Sequence, residues 1–261
     1  MPARVIAVYN QKGGVGKTTT VINLGASLAL RTRKTLVVDL DPQSNLTSGL
    51  GVAQNSGLYN FLVGSELNPE ELVKSTSITG LDLIPSCMDL AGALVEMISL
   101  EEREYRLSKL INHFRNLYDF ILIDIPPTFN ILSVNGIVAA DEIIIPVKCS
   151  YFSLEGISQL VKIVKMINKN LDYPIKISGI ILTMYDRREK LSREIVREVR
   201  RYFPDQVFET VIPRQVKLAE ASSFSKPIVI YAPNSKACRA YFSLADEIIE
   251  KQMENDKILK I

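Results

Sequence analysis

The chain has no tryptophan and one histidine, His113, in 261 residues. That excludes histidine-based catalysis and a histidine-rich metal site. Three cysteines, Cys87, Cys149 and Cys238, lie far apart with no CxxC spacing. Neither a disulfide framework nor a structural zinc site fits them, and they read as buried or inert thiols. An excess of one charge is missing too: 31 Lys and Arg against 29 Asp and Glu leave a net +2. Any basic surface must therefore be local. No 18 apolar residues follow one another, so no transmembrane helix is expected. The first apolar run, Val5 to Tyr9, is too short for a signal-peptide core. A cytoplasmic location is the expectation.

What is present is an ordinary globular balance, 47% hydrophobic and 23% charged,. Repeats, low-complexity tracts and Gly/Ser linkers are absent, so one domain over residues 1–261 is expected. Short apolar runs recur at Val5–Tyr9, Thr35–Asp39, Leu81–Ile84, Phe120–Asp124, Glu142–Val147 and Lys176–Leu182. Helical periodicity falls between several of them, at Thr18–Leu30, Leu100–Leu117, Leu154–Asn170 and Leu191–Phe203. A last helix is expected from about Ser235 to Lys251, with a fraying polar tail. Continuous apolar strands bury both faces, and helices must cover them. The fold class is therefore α/β: a mostly parallel twisted sheet with helices on both faces.

Residues 10–20 read NQKGGVGKTTT, between the first strand and the first helix. This is the context of a phosphate-binding loop. Gly13, Gly14 and Gly16 let backbone N–H groups turn inward on an anion, and the helix start adds partial positive charge. Lys17 can reach β and γ phosphates, and the Thr18 hydroxyl can ligate Mg2+. Two apolar runs end in aspartate, LVVDLDPQ at 36–43 and FILIDIPP at 120–127. Ligands collect at the carboxyl ends of parallel strands, which gives Asp124 the place of a metal-side carboxylate. Asp39 and Asp41, two apart, point the same way on an extended strand.

The loop lacks the usual glycine at Gln11 and carries a second lysine, Lys12. In this it resembles the deviant Walker A loop, KGGxGKT, of the ParA/MinD class of P-loop ATPases. Residues 39–49 (DLDPQSNLTSG), 124–127, 141–161 and 211–231 (VIPRQVKLAEASSFSKPIVIY) extend the likeness to the ParA/Soj partition ATPases in family order. The resemblance implies ATP and Mg2+ as cofactors, bound by Gln11, Lys12, Gly13, Gly14, Val15, Gly16, Lys17, Thr18 and Thr19. It implies that Lys12 reaches the partner's nucleotide across an ATP-dependent homodimer, and that Asp41 orients the attacking water. By the same likeness Asp39 and Asp124 support the metal with Thr18, and residues 124–132 act as a switch loop. Adenine would lie against Met184, Pro213 and Arg214. Asn130 and Ser150 depart from the family pattern, and Arg31–Lys34 lacks its usual glycine.

Residues 187–201 hold seven Lys/Arg and three Glu. On a 100° wheel Arg193, Arg197, Arg200 and Arg201 share one face, and Leu191, Ile195, Val199 and Tyr202 should pack on the sheet. Like charges at i,i+4 destabilise a helix slightly, a cost that DNA phosphates would offset. The resemblance adds nonspecific DNA binding by the ATP dimer, with Lys217 as a further contact, a ParB-like partner that triggers hydrolysis, and association with the nucleoid. The alternative, a MinD-like membrane-cycling ATPase, would want a basic amphipathic carboxyl-terminal helix. Residues 244–261 instead hold five acidic residues and three lysines. An iron–sulfur relative would need a second cysteine near Cys149. A noncatalytic scaffold would not retain Lys17, Thr18, Asp41 and Asp124. No helix-turn-helix precedes the first strand, so site-specific operator binding is not expected.

Overall fold

The computed structural model describes residues 2–150, 153–169 and 174–258, the backbone alone in 153–160 and 252–258. Among the described residues eight strands form one sheet: β1 Arg4–Val8, β2 Thr35–Asp39, β3 Lys74–Ser75, β4 Leu81–Ile84, β5 Phe120–Asp124, β6 Glu142–Lys148, β7 Lys176–Tyr185 and β8 Val207–Pro213. Their order is β3-β4-β2-β5-β1-β6-β7-β8. Every pairing is parallel except β3 with β4.

The helices are α1 Lys17–Leu30, α2 Asn45–Gly49, α3 Gly57–Val63, α4 Ala93–Glu96, α5 Arg106–Phe114, α6 Ile131–Val138, α7 Ser153–Asn168, α8 Lys190–Tyr202, α9 Val216–Ser223, α10 Ile228–Tyr231 and α11 Lys236–Ile258. Alternation along each strand sends neighbours to opposite faces. Val5 and Ala7 join one apolar layer, and Ile6 and Val8 join the other. The first layer takes in Leu107, Leu110 and Ile111 of α5 with Ile195 and Val199 of α8. The second takes in Val21, Leu24 and Leu28 of α1 with Tyr241, Leu244 and Ile248 of α11.

All six expected strands are found. The helix expected over Leu100–Leu117 is shorter, because Glu102 takes a left-handed φ of 49° and a 3-10 turn precedes α5. The helix expected over Leu154–Asn170 is seen as α7, and Asn170 lies outside the described residues. So do Tyr151 and Phe152, the residues after Ser150. The last helix runs from Lys236 to Ile258 and ends seven residues beyond the expected end. Among the described residues no helix is long and apolar enough to cross a membrane.

The register of the sheet positions the site. Val8 pairs with Asp124, and Asp39 pairs with the same Asp124. The carboxyl ends of β1, β2 and β5 thus lie level. The loop after β1 and both acidic strand ends open on one edge of the sheet, where parallel-sheet ligands gather.

Candidate nucleotide site

The loop between β1 and α1 is held at both ends. Asn10 donates to the Pro146 carbonyl at 2.8 Å and accepts from the Lys12 N–H at 3.0 Å. Deeper in, the Thr183 hydroxyl of β7 donates to the Val15 carbonyl at 2.8 Å. Gly14 and Gly16 have φ of 68° and 91°, the left-handed region in which a side chain is strained,. Gly16 leads directly into α1, so the first N–H groups of that helix face the loop,.

Lys17 is buried, and its ammonium sits 3.4 Å from the Lys12 carbonyl. Burial lowers its pKa, while the charges of Asp124 and Asp41 oppose that shift,. Lys12 is exposed at the mouth. A cavity of about 530 Å³ opens over the loop, lined among others by Gly13, Gly16, Lys17, Thr18 and Asp41. The structure thus brings together Lys17, Thr18 and Asp41.

The two strand-end aspartates differ. Asp124 is 1% exposed, and neither carboxylate oxygen has a hydrogen-bond partner. Burial pushes its pKa well up, and the neighbouring Asp39 adds to this. Thr18 is near enough to favour the charged form without hydrogen-bonding geometry in this structure. A buried carboxylate without partners is costly unless a cation completes it. Among the described residues no group of three or more His, Cys, Asp or Glu could hold a metal alone. One carboxylate and one hydroxyl suit Mg2+, which takes its other ligands from phosphates and water.

Asp39 is occupied differently. One oxygen accepts from the Thr47 N–H at 2.8 Å and the Thr47 hydroxyl at 2.6 Å. The other accepts from the Asp41 N–H at 3.2 Å. Burial raises its pKa to about 6 against the pull of those bonds. Asp39 therefore ties α2 and Asp41 to the strand end. Asp41 is half-buried, and one carboxylate oxygen accepts from the Gln43 N–H at 2.9 Å.

A second cavity, about 200 Å³, adjoins the first through Gly16, Thr19 and Ser222. It is lined by Met184, Pro213 and Arg214, the three residues expected beside adenine. Met184 has φ 53°, and the β7–β8 register shifts between Leu182 and Tyr185. This bulge lies at Met184, between the paired positions Leu182–Val211 and Tyr185–Pro213, where both strands border the cavity,. Gln215, Leu218 and Tyr241 also line it and were not identified from the sequence. Tyr241 arrives from α11, and no local pattern could have placed it beside residue 16.

The basic helix corrects one expectation. Arg193, Arg197 and Arg201 are exposed on α8. Arg200 turns back to β8, where its guanidinium donates to the Glu209 carboxylate and carbonyl, both at 2.9 Å. It sits at the border of the packed face, half-buried, with its guanidinium engaged by Glu209. The packed face is Ser192, Ile195 and Val199. Leu191 and Tyr202, at the two ends of the helix, are 43% and 57% exposed. Lys217 is exposed on α9, and Arg214 pairs with Glu189 at 3.3 Å.

Asn130 is the cap of α6. Its side chain accepts from the N–H groups of Leu132 and Ser133 at 3.0 and 3.2 Å, and the Ser133 hydroxyl accepts from its backbone N–H at 2.8 Å. Asparagine thus supplies a capping box where the family pattern has glycine,.

Residues 3–177 match the family model described as AAA domain. The chromosome-partitioning ATPase Soj of Treponema pallidum is 46% identical over 248 residues, covering 95% of this chain and 98% of the relative. The sporulation initiation inhibitor protein Soj of Bacillus subtilis is 44% identical, covering 94% and 98%. Among solved structures, cobyrinic acid a,c-diamide synthase from Mycobacterium smegmatis with bound ADP and magnesium superposes with TM-score 0.84 at 31% identity, covering 97% of this chain and 96% of that one.

Proposed function

The chain belongs to the Soj/ParA family of chromosome-partitioning ATPases, and on that premise we propose that it positions DNA through a dimer that forms around ATP. It is a P-loop ATPase that uses ATP and Mg2+. The observation that carries the reading is one juxtaposition. The ammonium of Lys17, the unpartnered carboxylate of Asp124 and the half-buried Asp41 converge at one edge of the sheet, below a glycine loop held by Asn10 and Thr183.

The residues divide the work as follows. The loop N–H groups from Gly13 to Thr19 and Lys17 bind the β and γ phosphates. Asp124 and the Thr18 hydroxyl would hold Mg2+, which supplies charge neutralisation on the phosphates. Asp41 orients the attacking water, and Asp39 positions Asp41 through the 3.2 Å bond to its N–H. Residues 211–222 and Met184 enclose the base. Lys12, exposed at the mouth of the loop, reaches the phosphates bound by a second copy. The exposed arginines of α8 and Lys217 contact DNA phosphates without reading bases. A ParB-like partner accelerates hydrolysis, and the ATP-bound dimer associates with the nucleoid in the cytoplasm. We read residues 1–261 as one ATPase domain.

The test is the nucleotide dependence of the assembly. Light scattering with a slowly hydrolysed ATP analogue should give a dimer, and ADP should give a monomer. Lys12→Ala should bind nucleotide at close to the parent affinity yet stay monomeric. A normal dimer from that variant would remove the cross-subunit role.

A further inference from the structure

Gln215 lines the cavity beside Met184 and Pro213, at the N-cap of α9. Its side chain does not cap its own helix. Its amide oxygen accepts from the N–H of Ala237, in the first turn of α11, at 2.8 Å. That bond decides the orientation of the amide, because only the oxygen can receive a backbone N–H. The nitrogen, with two hydrogens, is left without a hydrogen-bond partner among the described residues.

The other polar side chains around the cavity are largely committed. The Thr183 hydroxyl donates to the Val15 carbonyl at 2.8 Å, and the Ser222 hydroxyl donates to the Leu218 carbonyl at 3.2 Å. The Arg214 guanidinium pairs with Glu189 at 3.3 Å. Among the described residues no carboxylate lines the cavity. The cavity therefore offers a base hydrogens from Gln215 and no acidic acceptor.

Purines differ at the atom such a donor would meet. Adenine N1 is an unprotonated acceptor, whereas guanine N1 carries a hydrogen and has an amino group beside it. A fixed N–H donor accepts the first and opposes the second, and a mismatched donor pair left without water is penalised. We propose that Gln215 is the specificity-determining residue of the base cavity, donating its amide N–H to adenine N1 and thereby excluding guanine nucleotides. This rests on reading the cavity as the base site.

Gln215→Glu tests it with little structural disturbance. Glutamate keeps an oxygen for the Ala237 N–H and replaces the donor by an acceptor; its negative charge acts on ATP and GTP alike, so the readout is the ratio of the two affinities. Competition against a fluorescent nucleotide, with Mg2+ present, should show the ratio of ATP to GTP affinity falling by about tenfold or more. An unchanged ratio in a variant with the parent melting curve overturns the proposal. The parent protein provides a test that needs no variant. The 1-deaza analogue of ATP, with C–H in place of N1, should bind about tenfold or more weakly than ATP. Equal affinity overturns the proposal as well. Ala219→Trp separates this inference from the reading beneath it, since tryptophan there should obstruct the cavity. Undiminished ATP affinity in Ala219→Trp means that the base lies elsewhere. Diminished affinity together with an unchanged ratio in Gln215→Glu leaves the base site in place and removes Gln215 from it.

Discussion

Thr32 carries a left-handed φ of 59° just after α1, at the turn where the family pattern has glycine. A β-branched residue there is strained by roughly 1–2 kcal/mol. Thr32 is exposed, and its hydroxyl bonds only to the adjacent Arg31 carbonyl. Glycine would relieve the strain but lose more chain entropy on folding. Thr32→Gly should therefore stabilise the protein by about 0.5–1 kcal/mol, read as a rise in melting temperature. Asp41 and Lys17 also separate at this scale. Asp41→Ala should bind ATP, lower turnover by about a hundredfold or more, and prolong the dimer, because a water-orienting group acts at the hydrolytic step. Lys17→Ala should lose nucleotide binding itself. Single-turnover hydrolysis beside equilibrium binding distinguishes them, and parent-rate turnover by Asp41→Ala would return the catalytic assignment to the remaining carboxylates.

The informative element is α8. Arg193, Arg197 and Arg201 lie on the exposed side, and the salt partners of this helix are surface pairs such as Lys190 with Glu194 at 3.6 Å. Surface pairs of that kind contribute roughly 0–1 kcal/mol and leave the arginines available. Arg193→Glu with Arg197→Glu should therefore abolish retention on random-sequence DNA while ATP-driven dimerisation and the melting curve stay as in the parent. Arg200 should behave in the opposite way. Its guanidinium holds the Glu209 carbonyl and carboxylate of β8, so Arg200→Ala should lower stability by about 1 kcal/mol and change DNA retention less than the double variant. Retention unchanged in the folded double variant would move the DNA surface to Lys217.

For the whole molecule, the proposed coupling between nucleotide and DNA runs through assembly. Three exposed arginines on one protomer make a weak site, and a dimer presents six, which raises affinity by effective concentration without a new contact. Each phosphate neutralised adds about 0.9 to the salt slope, so the six arginines give a slope of about 5 and the two copies of Lys217 raise it to about 7. Surface retention on random DNA at several salt concentrations should show that slope with ATP and a much smaller one with ADP. Native and random sequences should compete equally, since phosphate contacts carry no base information. Equal slopes with the two nucleotides would separate DNA binding from dimerisation.

The sequence by itself determined the alternating strands, the phosphate loop and its acidic strand ends. Each is a local signal: period, glycine spacing, or a charge at the end of an apolar run. Arg193, Arg197 and Arg201 were legible for the same reason, since a wheel needs only neighbours on one helix. Arg200 was not, because whether a border arginine faces water or turns inward depends on Glu209 of another strand. The different tasks of Asp39 and Asp124 were likewise beyond reach. The two pair in register and both end apolar strands, yet one is satisfied by Thr47 and the other has no partner. Gln215 and Tyr241 entered the site only when α11 packed against α1 and β8. Such long-range packing decides which polar atoms are left unpaired, and the chemistry of the site rests on those atoms.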